Sequence, residues 1–133
     1  MHRFISVFVL SIVCAQAIAA DEVGECYRNA TKKEQMRECL VLESKQVQAQ
    51  YNSTLERVLT RARSFDRSHK KRQTAKEIQE ANKNFLAYVK NECTFRGALK
   101  GAEVGETEAG LACRINLMRV RKSTLETEFL SDE

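Results

Sequence analysis

The stretch A75-K-E-I-Q-E-A-N-K-N-F-L-A-Y-V-K-N-E-C93 decides the fold. Ala75, Ile78, Phe85, Val89 and Cys93 recur at sums of three and four residues, with Asn82 the single polar member of the row. That period is the apolar stripe of an α-helix. Lys76, Glu77, Glu80, Lys83 and Lys90 face away from it, so the helix has one dry side that other parts of the chain must cover.

On the N-terminal side, Thr31-Lys32-Lys33-Glu34 has the form of a capping box and starts a helix. Met36, Cys39 and Leu40 give it an inner face; it runs on, with Glu43-Ser44 the place where it could break. Val47, Tyr51, Leu55, Val58, Ala62 and Phe65 then carry the period to about Ser64, and Ser64 to Ser68 is the expected turn. On the C-terminal side, Gly97, Gly101, Gly105 and Gly110 are four of the five glycines in the chain. They predict a mobile loop over Arg96 to Glu106. A last helix follows from Thr107-Glu108, with Leu111, Ile115, Met118, Leu125 and Phe129 inward and Arg114, Arg119, Arg121 and Lys122 outward; the tail Ser131 to Glu133 is expected to fray. No segment alternates apolar and polar residues as a strand would. The expected architecture is all-α: a three-helix up-down-up bundle with a short N-terminal helical segment, stapled by two disulfides.

Met1 to Arg3 is basic, Phe4 to Val13 is apolar, and Ala17-Ile18-Ala19 suits a signal peptidase, so residues 1–19 read as a signal peptide and 20–133 as one exported domain. The apolar run is far short of the ~20 residues that span a bilayer, so no membrane insertion is expected once it is removed. Cys14 lies in a poor lipobox context. Four cysteines remain, Cys26, Cys39, Cys93 and Cys113, an even set that reads as disulfides in an oxidising compartment such as a bacterial periplasm or the extracellular space. Their spacing does not fit a zinc knuckle, and no metal or cofactor is expected. Cys39 and Cys93 are equidistant in sequence from a turn at Asp66, and Cys113 comes to the same end of the bundle. Geometry leaves all three pairings open. We favour Cys26–Cys39 and Cys93–Cys113, which staple the N-terminal segment and the glycine-rich stretch; each closure is worth ~3 kcal/mol in the chain-entropy model.

The balance of 22 Lys plus Arg against 18 Asp plus Glu gives a net charge of +4, one less after loss of Arg3. That is too small to name a partner. The cations do cluster: Arg57, Arg61, Arg63, Arg67, Lys70, Lys71 and Arg72 surround one turn and outnumber Asp66. This pole could dock an anionic polymer or an acidic protein, or simply be solvated cations at a helix C-terminus. With no aromatic residue inside the run of an exported chain, nucleic acid is not the expected partner. His69, the one histidine after the signal segment, lies in that turn. No Ser-His-Asp order, H-E-x-x-H or phosphate-binding glycine motif occurs, so an enzyme is not the expected reading.

Cys26, Ala30, Glu34, Met36 and Cys39, then Tyr51-Asn52-x-x-Leu55, Ala81-Asn82-x-x-Phe85-x-x-Tyr88, Cys93, and Cys113 with Arg121 and Leu125, resemble the lysozyme inhibitor LprI-like family of small exported bacterial helical proteins. The resemblance runs from Cys26 to Leu125. Phe85 stands where the family has a tryptophan, which keeps an aromatic in the core, and Asn82 stands for its glutamine. Its Leu-Asn-x-x-Tyr is Tyr51-Asn52-Ser53-Thr54-Leu55 here, and Val89-Lys90 replaces an Arg-Asp pair, which changes surface chemistry. The resemblance implies an exported binding protein that inhibits a lysozyme. The alternative is an envelope interaction or immunity-like module acting through Arg61, Arg67, Lys70, Lys71 and Arg72. Animal-type lysozymes are basic, so an inhibitor needs local acids. The expected contacts are Glu103, Glu106 and Glu108 on the glycine loop, with Glu43 near the cysteine pole.

Overall fold

The computed structural model describes residues 21–70 and 72–131, with the backbone alone at residues 103, 104 and 106. The expected signal peptide, Cys14, Lys71 and the end of the tail at Asp132-Glu133 lie outside the described residues. Four helices follow in order: α1 (Glu22–Asn29), α2 (Lys33–Ser68), α3 (Thr74–Val104) and α4 (Glu106–Phe129). No described residue is in a strand.

Helix α1 begins at Asp21, whose carboxylate accepts the Gly24 N–H at 2.9 Å. Glu22 and Glu25 in its first turn and Arg28 in its last complement the helix dipole. Val23 and Cys26 are buried. The α2 start differs from the expected capping box. Lys32 is extended and is the N-cap, so the third helical residue is Gln35 rather than Glu34. The Gln35 side chain accepts from the Thr31 N–H at 3.1 Å and from the Thr31 hydroxyl at 2.9 Å. The helix then runs 36 residues without a break at Glu43-Ser44, about 54 Å at 1.5 Å per residue.

Contacts between helices give the directions. Arg37 meets Glu108, and Thr54 meets Glu126, so α2 and α4 are parallel. Tyr51 meets Asn82, and Asp66 meets Thr74, so α3 runs against α2. This is the expected up-down-up order. The core consists of Leu40, Val47, Tyr51 and Val58 from α2 with Ile115, Met118 and Leu125 from α4, closed by Val23 and Cys26 of α1. A second cluster of Val89, Cys93 and Cys113 lies between α3 and α4, and Phe85 packs against both. Burial of these side chains, each worth about 1.5–3 kcal/mol when complete, is the main force holding the helices together.

The disulfides are Cys26–Cys39, with Cα atoms 5.6 Å apart, and Cys93–Cys113, at 5.4 Å. Both favoured pairings are formed. The first ties α1 to α2 and the second ties α3 to α4. Arg119, expected to face outward, instead bridges Glu22 of α1 at 2.8 Å and Glu43 of α2 at 3.1 Å, a second attachment for the short helix.

Candidate functional site

The largest departure from expectation lies between Arg96 and Glu108. No glycine loop exists there: α3 continues to Val104 and α4 starts at Glu106. Gly105 alone makes the corner, at φ 100° and ψ 137°, a backbone conformation that L side chains rarely adopt. Gly97 and Gly105 are buried and Gly101 is half-buried. These three glycines are spaced by four residues, which is a helical interval, and that spacing is the signal that distinguishes a helix from a loop. Gly110, on α4, faces the Cys93 carbonyl, where a Cβ would make an ordinary contact at 3.4 Å. The absent side chains leave a groove between α3 and α4, bordered by Lys90, Thr94, Gly97, Thr107, Leu111 and Arg114, with Cys93 in its wall.

Of the acids expected to make contact from that stretch, Glu108 is the one whose side chain is described. Glu108 is fully buried. Its carboxylate accepts from Arg37 Nε at 2.7 Å while its other oxygen, Oε2, has no partner among the described atoms. Burial pushes the Glu108 carboxyl up, but its own backbone N–H, Arg37 and Lys33 outweigh that and hold it below the usual carboxylate range. A Cβ on Gly105 would collide with this carboxylate and with the Lys33 side chain. Glu108 therefore braces the corner and is not available to a partner. The side chains of Glu103 and Glu106 are not among those described; their backbones belong to α3 and α4. Glu43 is tied to Arg119.

At the opposite turn the expected basic pole is present but differently built. Helix α2 continues through Ser64 to Ser68, and the turn falls after it. His69 ends the helix, with its ring stacked on Phe65 at 4.1 Å and Nδ1 3.0 Å from the Phe65 carbonyl. Asp66 reaches across the turn and accepts the Thr74 and Ala75 N–H groups at 2.9 and 3.0 Å, capping α3. The Ala75 N–H is the main reason its carboxyl lies below the usual range. Arg61 donates to the Phe129 carbonyl at 2.9 Å, which ties α2 to the end of α4, and Arg63 pairs with Glu56 within α2 at 2.8 Å. Arg67, Lys70 and Arg72 are exposed. A shallow groove along α2 runs past Arg57, Thr60, Arg61, Ser64 and Arg67.

Four of the residues that carry the resemblance, Tyr51, Asn82, Phe85 and Arg121, converge between the helices. Tyr51, almost wholly buried, donates to Asn82 Oδ1 at 2.5 Å and packs on Phe85 with ring centroids 5.7 Å apart. Arg121, expected to face outward, turns in, with its guanidinium 5.9 Å from the Phe85 ring centroid. Burial raises the Tyr51 phenol and the nearby Arg121 opposes that rise. The polar position Asn82 in the apolar stripe is thus the hydrogen-bond partner of a buried tyrosine, which is what a buried hydroxyl requires. These four side chains tie α2, α3 and α4 into one unit.

No group of three or more His, Cys, Asp or Glu residues able to hold a metal is present among the described residues. No helix among them is long and apolar enough to cross a membrane. Among the described residues eight large apolar side chains are exposed, and three of them, Tyr88, Phe95 and Leu99, lie on one line along α3. The fold and its two staples define a class: a small all-helical domain cross-linked within each of two helix pairs. Residues 26–125 match the family model described as "Lysozyme inhibitor LprI", which spans most of the chain, and the protein belongs to that family. No curated protein and no solved structure gives a significant match.

Proposed function

We propose that this protein is an exported binding protein that inhibits a lysozyme or a related peptidoglycan hydrolase in the bacterial periplasm or outside the cell. The observation that carries the reading is membership of the lysozyme-inhibitor family over residues 26–125. Two further features support it. The N-terminal sequence has the form of an export signal, and the two disulfides suit an oxidising compartment. The cross-linked helices also form a stiff body, which loses little conformational entropy on binding. The test is turbidity of bacterial cell walls treated with an animal-type lysozyme, titrated with the mature chain, disulfides intact. Dose-dependent protection of the walls is the expected result. Unchanged lysis at a large molar excess excludes that lysozyme as the target.

A second reading rests on Arg67, Lys70 and Arg72, exposed around one turn beside the groove along α2. In this reading an anionic envelope polymer or acidic protein docks at the basic pole. Its signature is binding that weakens steeply with ionic strength and is lost in the Lys70→Gln/Arg72→Gln variant.

A further inference from the structure

The groove between α3 and α4 offers about 460 Å³, within the size range of small-molecule sites. Along α4 it reaches from Thr107 to Arg114, about 10 Å at 1.5 Å per residue. Its apolar lining is low in relief: Cys93 of the second disulfide, Leu111, and the backbones of Gly97 and Gly110. Lys90 of α3 and Arg114 of α4 line it as well, and both are exposed. Neither of these two side chains has an ion-pair or hydrogen-bond partner among the described residues. No Asp or Glu is among the described residues of the lining, and Glu92, two residues beyond Lys90, is held by Arg96 at 2.7 Å. Thr94 and Thr107 add two hydroxyls. That of Thr94 donates to the Lys90 carbonyl at 2.9 Å, which leaves its lone pairs to accept from a ligand.

The other grooves differ in charge. The one along α2 has arginines, but Glu56 lines it and Arg61 is engaged by the Phe129 carbonyl. The one between α1 and α2 is lined by Glu22, Glu25 and Glu43. Two free cations supplied by different helices, with no acid among the described lining residues, complement an anion. A guanidinium suits a carboxylate in particular, which it can hold by two parallel hydrogen bonds. The hydroxyls call for polar groups elsewhere on the ligand, and the apolar floor calls for a flat apolar face. A sugar ring that bears a carboxylate has all three: the acid, hydroxyl or amide groups at its edge, and C–H groups on its face. A basic enzyme is repelled by the same pair of cations, whereas the wall glycan that a lysozyme cuts carries carboxylates and is attracted.

We infer that the α3–α4 groove binds a carboxylate-bearing sugar of the bacterial wall, with the carboxylate between Lys90 and Arg114 and the ring over Gly97 and Gly110. The choice of a wall sugar rests on the inhibitor reading. The probes are a wall disaccharide that contains muramic acid, neutral chitobiose of the same length, and a Glu-rich peptide. Binding is followed by NMR through the amide signals of Thr94, Gly97, Thr107 and Gly110. The acidic disaccharide is expected to shift these signals saturably, and chitobiose to bind at least about ten-fold more weakly. The Lys90→Gln/Arg114→Gln variant removes two exposed side chains without partners, so its melting temperature stays that of wild type. It is expected to lose at least about ten-fold in affinity for the acidic disaccharide, as loss of a charge-assisted hydrogen bond entails. The Lys70→Gln/Arg72→Gln variant removes the same charge at the opposite pole and is expected to stay within about two-fold of wild type. An equal loss in both variants shows a response to net charge alone and overturns the site. Equal binding of chitobiose overturns the role of the carboxylate, and a peptide that binds as tightly as the disaccharide overturns the sugar. Wild type that protects walls from lysozyme but does not bind the disaccharide overturns the inference and leaves the inhibitor reading standing. Wild type that binds it at these amides without protecting walls upholds the groove and ends the inhibitor reading. Absence of both overturns both.

Discussion

The two turns of the bundle solve one problem in opposite ways. Between α2 and α3 the chain turns where His69, Lys70, Arg72 and Gln73 are exposed, and Asp66 reaches over to cap the next helix. Between α3 and α4 a single residue, Gly105, reverses the chain, and Glu108 is buried beneath it. The long turn keeps its backbone polar groups near water and needs one carboxylate to satisfy the first N–H groups of α3. The short corner leaves no room for a side chain on Gly105, where Glu108 and Lys33 already lie. It therefore depends on a backbone conformation natural only to glycine and on a charge held by Arg37.

Breaking the short corner should have the largest effect. Gly105→Val adds a side chain where Glu108 and Lys33 already lie and demands a positive φ from a β-branched residue; a loss of about 3 kcal/mol or more is expected in thermal or denaturant unfolding. Glu108→Gln keeps the shape and removes the charge that Arg37 faces, with an expected loss of about 2 kcal/mol. A denaturant midpoint equal to that of wild type would show that Arg37 is satisfied by solvent and that the corner is held by the glycine alone. Acid should sharpen the contrast. The Glu108 and Asp66 carboxyls both lie below their usual values in the folded protein. Their contribution to stability is then fully present above the usual carboxylate range, near pH 4, and is lost as pH falls through the lower folded values. The Glu108→Gln variant should show a shallower loss of melting temperature than wild type between about pH 4 and pH 2. The smallest effect is expected for Asp66→Ala, whose exposed turn lets water replace the lost cap. Its melting temperature should fall less than that of Glu108→Gln, and amide exchange should speed up at Thr74 and Ala75 while the corner stays protected.

The same contrast explains which parts of the fold could be read in the sequence. The periodic stripe from Ala75 to Cys93 marks a helix because burying one face every three to four residues is a local geometric demand. The period also carries α2 past Ser64, but Ser64, Asp66 and Ser68 look like turn residues. Asp66 is indeed turn chemistry, exercised across space on Thr74 and Ala75 rather than on its own segment. Gly97 to Gly110 misleads for the converse reason. Glycine is the usual loop former, and only the four-residue spacing of Gly97, Gly101 and Gly105 hints at a helix that runs up to the corner. Glu108 shows the limit most clearly. Its position suggests a free acid in a first helical turn, and its role depends on Arg37, far away in sequence. Arg121 and Arg119 look like solvent-facing cations until Phe85 in one case and Glu22 with Glu43 in the other are brought alongside.

By itself, then, the sequence determined that this chain is helical, how many long helices it has and their up-down-up order, which follow from periodicity and spacing along the chain. Its motifs carry the family resemblance, and the pairing of the four cysteines stayed open. The tertiary structure decided where the helices end, that Gly97 and Gly101 lie within α3 while Gly105 alone turns the chain, that Glu108 is buried against Arg37, and that Tyr88, Phe95 and Leu99 of α3 are exposed. Those properties depend on which side chains meet from distant helices, and burial, charge pairing and exposure are settled only when they do.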